Sequence, residues 1–393
     1  AAGSSLTSGG QAPVTGAPSS SGATTAGTIT AKSAAVSATV AGATPGRFNV
    51  TPDGSATYDI PMWMPGGPNG IQPSLGIHYD SRRASGTMGP GWSIVGLGAI
   101  YRCNKTYAQD AIPQAVLLAT SDGYCLDGKR LRLTSGTYGT AGSTYETELA
   151  DFTKVTAYSS AGSGPSYFFA QRKDGLIYEY GNTTDSKIKA SGHSTPYQWR
   201  LNKVRDRNGN QYVVTYGTGQ SGSAGIGVPL SISFTPTSTG ASTFRYRIDF
   251  SYLADAADGT EYGYLAGGST INNNFLDTIK IKRIDVAKAL KTYSFGYELS
   301  PTTNRRRLVS VQECSDEALA QCLSPTSIQY QNGSPGLAAT SNTIASTTES
   351  VRGAFDFNGD GRQDLLYVSG SALYVAFATA SGFGLPTTTN ISL

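Results

Sequence analysis

Residues 52–98 read PDGSATYDIPMWMPGGPNGIQPSLGIHYDSRRASGTMGPGWSIVGLG, and this stretch decides the fold. From Ala56 to Met64 the sequence alternates, with Ala56, Tyr58, Ile60, Met62 and Met64 at every second position. A two-residue period puts those side chains on one face of a strand. The run from Pro65 to Gly70 then stops a ladder, because proline lacks a backbone donor and glycine accepts positive φ. Alternation resumes from Ser74 to Asp80, with Leu75, Ile77 and Tyr79 expected inward and His78 and Asp80 outward. A second glycine-rich turn, Gly86 to Gly91, delivers the large anchor Trp92 at the head of Trp92-Ser93-Ile94-Val95. The expected local structure is a β-meander that opens a sheet.

Working outward, the 393 residues carry 48 glycines and 23 tyrosines but only 15% charged residues, the balance expected of many short strands joined by glycine turns. The net charge of +3 is too small to argue for a nucleic-acid or anionic-membrane partner. No apolar run approaches the length of a membrane-spanning helix. The opening residues Ala1 to Ser5 show no signal-peptide pattern, which suits either a mature start after cleavage or an arbitrary boundary. The four cysteines fall in two local pairs, Cys103 with Cys125 and Cys314 with Cys322. That arrangement suits two small disulfides in an oxidising compartment, set against four buried free thiols in a cytosolic protein. Neither pair has zinc-finger spacing, and His78 and His193 lie far from both in sequence.

Residues 1–45 are mostly Ala, Gly, Ser and Thr, a composition that cannot offset its ordering entropy, so they read as a flexible leader. Strands are expected through 144–180. Lys173-Asp174-Gly175 ahead of Leu176 to Tyr180 is echoed by Arg207-Asn208-Gly209 ahead of Gln211 to Tyr216. Asp-Gly and Asn-Gly suit tight hairpin turns. Phe244 to Tyr252 is the cleanest alternation, with Phe244, Tyr246, Ile248, Phe250 and Tyr252 on a dry face and Arg245, Arg247, Asp249 and Ser251 on a wet one. Thr278 to Ile284 and Lys291 to Tyr297 look alike. The one plausible helical piece is Asp316 to Gln321, and a small, polar segment from Gly336 to Ser350 marks a domain boundary.

The residues Thr51 to Ala56, Ile60-Pro61, Pro65-Gly66, Ile71 to Leu75, Tyr79-Asp80-Ser81 and Gly89-Pro90-Gly91-Trp92-Ser93 occur in an order that resembles the virulence-plasmid B-type (SpvB-type) family. That amino-terminal region also begins the B components of insecticidal Tc toxins and related Rhs/YD-repeat proteins, and the resemblance extends more weakly over 46–335. Arg102-Cys103, followed by Cys125-Leu126-Asp127-Gly128-Lys129-Arg130-Leu131, looks like the same family and makes a Cys103–Cys125 bridge the first choice of pairing. The echoed tyrosine units resemble degenerate YD repeats.

Phe355-Asp356-Phe357-Asn358-Gly359-Asp360-Gly361-Arg362-Gln363-Asp364 carries the sharpest chemical signal. Asp356, Asn358, Asp360 and Asp364 place oxygens at loop positions that can converge, and the Arg362 carbonyl can add another. A hard cation such as Ca²⁺ takes six to eight oxygens. The alternative is a solvated Asp/Asn turn that holds no ion. The loop opens like an EF-hand, but Tyr367 stands where the bidentate Glu belongs and both flanks favour strand. A D-x-N-x-D-G-x-x-D loop between strands resembles the FG-GAP/VCBS repeat of calcium-binding β-propellers.

Other constellations carry less. Glu146-Thr147-Glu148 resembles in form the Glu-x-Glu pair of a carboxy-terminal ADP-ribosyltransferase domain that some members of the SpvB-type family possess, but here it sits on the wet face of an amino-terminal strand. His78 and His193 lack a neighbouring nucleophile motif, and Arg305-Arg306-Arg307 reads as a solvated basic loop.

The expectation is therefore an all-β protein: a leader (1–45), a curved antiparallel hairpin sheet forming an Rhs-like shell segment (46–335), and a linker with a partial β-propeller blade that binds Ca²⁺ (336–393). The resemblance implies a non-catalytic scaffold, secreted or in the cell envelope. Its partners would be an effector or toxin polypeptide or a translocating toxin component, with no nucleic acid and no integral membrane segment. An adhesin or carbohydrate-binding module, with tyrosine faces as a possible glycan contact, is the alternative.

Overall fold

The structure, a computed structural model, describes residues 38–217, 227–238, 242–253, 260–286, 288–333, 350–379 and 382–392. They divide into two compact units at residue 332. Residues 1–37 of the expected leader, and the expected linker up to residue 349, lie outside the described residues.

In the larger unit, eight strands close on themselves. Ala99–Cys103, Gly123–Leu126, Lys129–Ser135, Thr144–Thr147, Lys154–Ser160, Pro165–Gln171, Ile177–Tyr180 and Gln198–Arg205 pair in that order, each antiparallel to the next. The last returns to the first through Gln198↔Tyr101, Trp199↔Ile100 and Arg200↔Ala99. The expected curved antiparallel hairpin sheet thus closes into a barrel over residues 99–205. A small barrel is filled by the inward half of each alternating strand. Here those residues include Ile100, Tyr124, Tyr145, Val155, Phe168, Tyr180 and Trp199, all fully buried. Bulges between Leu133 and Ser135 and between Glu179 and Tyr180 supply local bends.

From Gln198–Arg205 the same sheet runs on through Gln211–Gly217, Val228–Pro236, Phe244–Tyr252, Leu276–Arg283, Lys288–Leu299 and Arg306–Cys314. Phe244–Tyr252 has the dry and wet faces its alternation requires. The echoed units are hairpins of equal loop length, with Gln171 opposite Ile177 and Arg205 opposite Gln211.

The signature stretch forms a separate four-stranded sheet, Arg47–Val50, Ala56–Pro61, Gly76–Asp80 and Trp92–Val95, in that order. Its Ile60, Ile77, Met88 and Trp92 share one core with Phe275 and with Tyr293 and Leu308 of the long sheet. The Trp92 ring lies 5.2 Å from that of Tyr79, and its Nε1–H donates to the Tyr330 hydroxyl at 3.1 Å. Glycine is required beneath it: Gly91 has φ +78°, and a Cβ there would meet the Tyr79 ring at 2.4 Å.

Three local expectations are corrected. The expected helical piece Asp316 to Gln321 is instead a bend that runs into a strand at Gln321, with Leu319 at φ 57° and the Asp316 carboxylate accepting from Ala320 N–H, because that side-chain bond competes with a helical one. The one α-helical segment among the described residues is the single turn Tyr107–Asp110, capped by the Thr106 hydroxyl. Ala38–Ala43, at the end of the small-residue leader, is a strand parallel to Gln321–Ser324.

The smaller unit is an antiparallel meander of Ser350–Phe355, Asp364–Ser369, Ala372–Ala376 and Thr387–Ser392. Leu365, Tyr367 and Ala376 form its core, with Tyr374 and Phe383 packed against them.

Candidate functional site

The barrel interior is a plug of aromatic rings. Tyr124 stacks on Tyr138 at 5.4 Å and meets Phe168 and Trp199 edge-on at 5.6 and 5.7 Å. Offset-stacked and edge-to-face contacts are the favourable geometries for such pairs. Burial pushes the hydroxyl of Tyr124 well above its ordinary pKa and that of Tyr138 to about 12.

One end is closed by a charge. Arg102 points inward between the outward Tyr101 and Cys103, and its guanidinium is fully buried. Its Nη1 donates to Asp122 Oδ2 at 3.0 Å and to the Ala119 carbonyl, Nε donates to Pro196 O at 3.0 Å, and Nη2 to Ser163 O at 2.8 Å. Asp122 also accepts from the N–H groups of Leu117 and Ala119, both at 3.1 Å. One guanidinium thus ties three loops together over the aromatic plug. A buried ion pair holds only when its remaining hydrogen-bond capacity is met, as it is here. Sequence reading did not find this pair. A charged residue at an inward position of Ile100-Tyr101-Arg102 was the available signal.

Both cysteine pairs are disulfides, Cys103–Cys125 and Cys314–Cys322. The first clips neighbouring barrel strands, and the second joins two residues directly opposite in register.

In the smaller unit, Asp356, Asn358, Asp360 and Arg362 sit together on an exposed loop. Asp356 accepts from the N–H groups of Gly359 at 2.7 Å and Gly361 at 2.9 Å, and Asn358 Oδ1 from Asp360 N–H at 3.0 Å. Asp360 accepts from the N–H of Arg362 at 2.9 Å, a bond that holds its carboxyl below the ordinary value. Asp364 is set apart: it is fully buried, and its two oxygens accept from Phe357 and Ala378 N–H, each at 2.8 Å. The chemistry of Asp356, Asn358 and Asp360 fits a hard cation, whereas Asp364 is committed to the backbone. Among the described residues, no three His, Cys, Asp or Glu side chains are grouped as a metal-binding set.

The remaining candidates are dispersed. Glu146 is exposed opposite Lys154 and Arg132, and Glu148 accepts from Gln109. His78 Nδ1 lies 2.7 Å from Asp59 Oδ1 in a cross-strand pair. The arginine run is not a solvated loop. Arg306 and Arg307 are buried in a strand, where Arg306 lies over the Phe275 ring and Arg307 over Tyr330 while bonding Glu298 at 2.6 Å. Arginine tolerates this because its flat, weakly hydrated guanidinium stacks on rings. Of the tyrosines weighed as glycan contacts, Tyr212, Tyr216, Tyr252, Tyr293 and Tyr297 are buried, whereas Tyr107, Tyr262 and Tyr264 are exposed.

No helix among the described residues is long and apolar enough to cross a membrane. No curated protein matches the chain. Among solved structures it is similar to TcdB2-TccC3, at 15% identity and TM-score 0.67 over 90% of this chain and 20% of that one. It is also similar to the N-terminal domain of effector protein SpvB from Salmonella typhimurium strain LT2, at 14% identity and TM-score 0.52 over 63% of this chain and 95% of that one. The Photorhabdus luminescens Tc holotoxin pore matches at 13% identity and TM-score 0.61, over 91% of this chain and 20% of that one. At these identities the likeness is one of fold, and the chain spans about a fifth of the length of the TcdB2-TccC3 chain. The model of the Salmonella virulence plasmid 65kDa B protein family, SpvB, matches residues 50–252, just over half of the sequence, and the chain belongs to that family.

Proposed function

We propose that the chain is a non-catalytic structural scaffold, a wall segment of a shell that encloses or delivers a toxic effector polypeptide outside the bacterial cytoplasm. The observation that carries this reading is the barrel. It is closed by backbone pairing, filled by aromatic rings and capped by a buried ion pair, and it continues into one long sheet. Such an object offers stiffness and surface in place of a lumen. Family membership and a fold shared with TcdB2-TccC3 support it. The proposed organisation is a shell domain over 46–335, followed by a linker and a first FG-GAP/VCBS-like propeller blade over 336–393. The proposed partners are an effector polypeptide and a translocating toxin component.

We further propose that the 356–364 loop binds Ca²⁺, held by Asp356, Asn358, Asp360 and the Arg362 carbonyl, with Asp364, the remaining member of the expected ligand set, bracing the loop through the N–H groups of Phe357 and Ala378. The support is oxygen spacing on an exposed loop between strands Ser350–Phe355 and Asp364–Ser369. Bound calcium would supply positive charge that fixes the turn.

The shell reading is tested by co-producing the complete polypeptide that carries this chain with its effector segment and challenging the assembly with protease. Survival of the effector segment until the shell is unfolded is expected. Cleavage at the rate of the free segment would overturn the reading.

A further inference from the structure

A cleft of about 460 Å³ opens between the signature sheet, the barrel and the hairpin of strands Glu261–Leu265 and Gly268–Asn272. Three buried polar atoms with no hydrogen-bond partner among the described residues belong to residues that line it: Ser85 Oγ, Arg200 Nε and Asn272 Oδ1. Buried polar groups are nearly always paired, so three orphans around one cleft point to something missing from it. Their chemistry is complementary: a cationic donor, a hydroxyl and an amide acceptor. The Arg200 guanidinium lies 5.5 Å over the Tyr216 ring, and burial draws its pKa down. No carboxylate among the described residues lies within ion-pair distance of it. Glu261, on the same wall, faces Arg305 at 3.8 Å.

The cleft is elongated in effect. A second cleft of about 610 Å³ shares Arg83, Ile94, Leu97, Ala99 and Gln198 with the first, so the two form one groove along residues 92–99. That groove follows Trp92–Val95, the last strand of the signature sheet, whose outer edge has no strand partner among the described residues. An open strand edge accepts an extended peptide through backbone hydrogen bonds, while flanking pockets read its side chains.

We propose that this groove binds an extended peptide segment bearing an acidic side chain, with the carboxylate at Arg200 and amide groups of the peptide meeting Asn272 and Ser85. Trp92 and Ile94 flank it with apolar surface, and the exposed Arg83 adds a second positive charge at the rim. The inference rests on orphaned atoms and an open edge, and does not depend on the shell reading.

The probes are the peptides N-acetyl-Thr-Val-Asp-Val-Thr-amide and its Asn counterpart, together with inorganic phosphate, titrated calorimetrically into the full chain. The Asp peptide is expected to bind saturably, with the Asn peptide and phosphate at least about tenfold weaker, the scale of one charge-assisted contact. Arg200→Gln should erase the preference for Asp, and Asn272→Ala should weaken both peptides while leaving that preference intact. If Arg200→Gln does not fold, the Asp-to-Asn ratio in the unsubstituted chain and the Asn272→Ala result decide. Equal binding of the two peptides, phosphate binding as tight as the Asp peptide, or no binding at millimolar peptide would overturn the proposal.

Discussion

Replacing Asp122 with alanine is expected to destabilise the larger unit by about 3–5 kcal/mol, the cost of stranding one partner of a buried ion pair. The Arg102 guanidinium and Asp122 carboxylate are 0% and 1% exposed, 3.0 Å apart. The substitution leaves a positive charge beside Tyr124 and Trp199 without its counterion. It also removes the acceptor from Leu117 and Ala119 N–H, which pins the loop over the barrel end. At roughly 2 °C per kcal/mol for a unit of this size, the midpoint should fall by about 6–10 °C. Urea unfolding followed by tryptophan fluorescence gives the free energy directly, because Trp199 sits against the pair. Two controls separate charge from volume. The double change Arg102→Met with Asp122→Leu should cost less than Asp122→Ala, since no charge is left buried. Lys129→Ala breaks an exposed pair with Asp151 and should cost under about 1 kcal/mol. If Asp122→Ala costs no more than Lys129→Ala, the account of the barrel end is wrong.

Replacing both Cys103 and Cys125 with serine should cost about 3 kcal/mol by loop-closure entropy over a separation of 22 residues, read by urea unfolding against the same chain with its disulfides intact. In alkali, burial raises the hydroxyls of Tyr138 and Tyr178 to about 12, above the ordinary value of about 10. Their raised folded-state values give stability that is complete below about pH 10 and is lost as pH climbs through about 12. Tyrosinate absorbance should therefore show an early exposed group and a late group that appears together with unfolding. A single titration near the ordinary value would contradict this. For the 356–364 loop, chelator should lower the melting temperature and Asp360→Ala should abolish that response. Identical melting curves with and without chelator would count against the ion.

Local features were legible because local chemistry imposes them. Gly91 must be glycine where positive φ meets the Tyr79 ring, and the Phe244–Tyr252 alternation has one physical solution. The equal five-residue hairpin loops follow from Asp-Gly and Asn-Gly at matching offsets. Barrel closure was not legible, because it depends on Ile100 meeting Trp199 across a stretch of chain whose local pattern suits an open or a closed sheet equally. The burial of Arg102 and Arg306 was not legible for a related reason. A basic residue reads as solvated until its neighbours are known, and here carbonyls, Asp122 and aromatic rings replace the water. In the 356–364 loop, spacing showed which oxygens share a turn but not that Asp364 spends both of its oxygens on backbone N–H groups.

The central proposal is that this chain is wall, built on a closed and filled barrel. Cryo-electron microscopy of the complete polypeptide that carries it, bound to its effector segment, tests this most directly. The account predicts continuous density for the 99–205 barrel with aromatic side chains occupying its interior, set into the wall of a cavity that contains the effector. An open barrel lumen holding a small molecule, or a barrel standing clear of any enclosing wall, would contradict it.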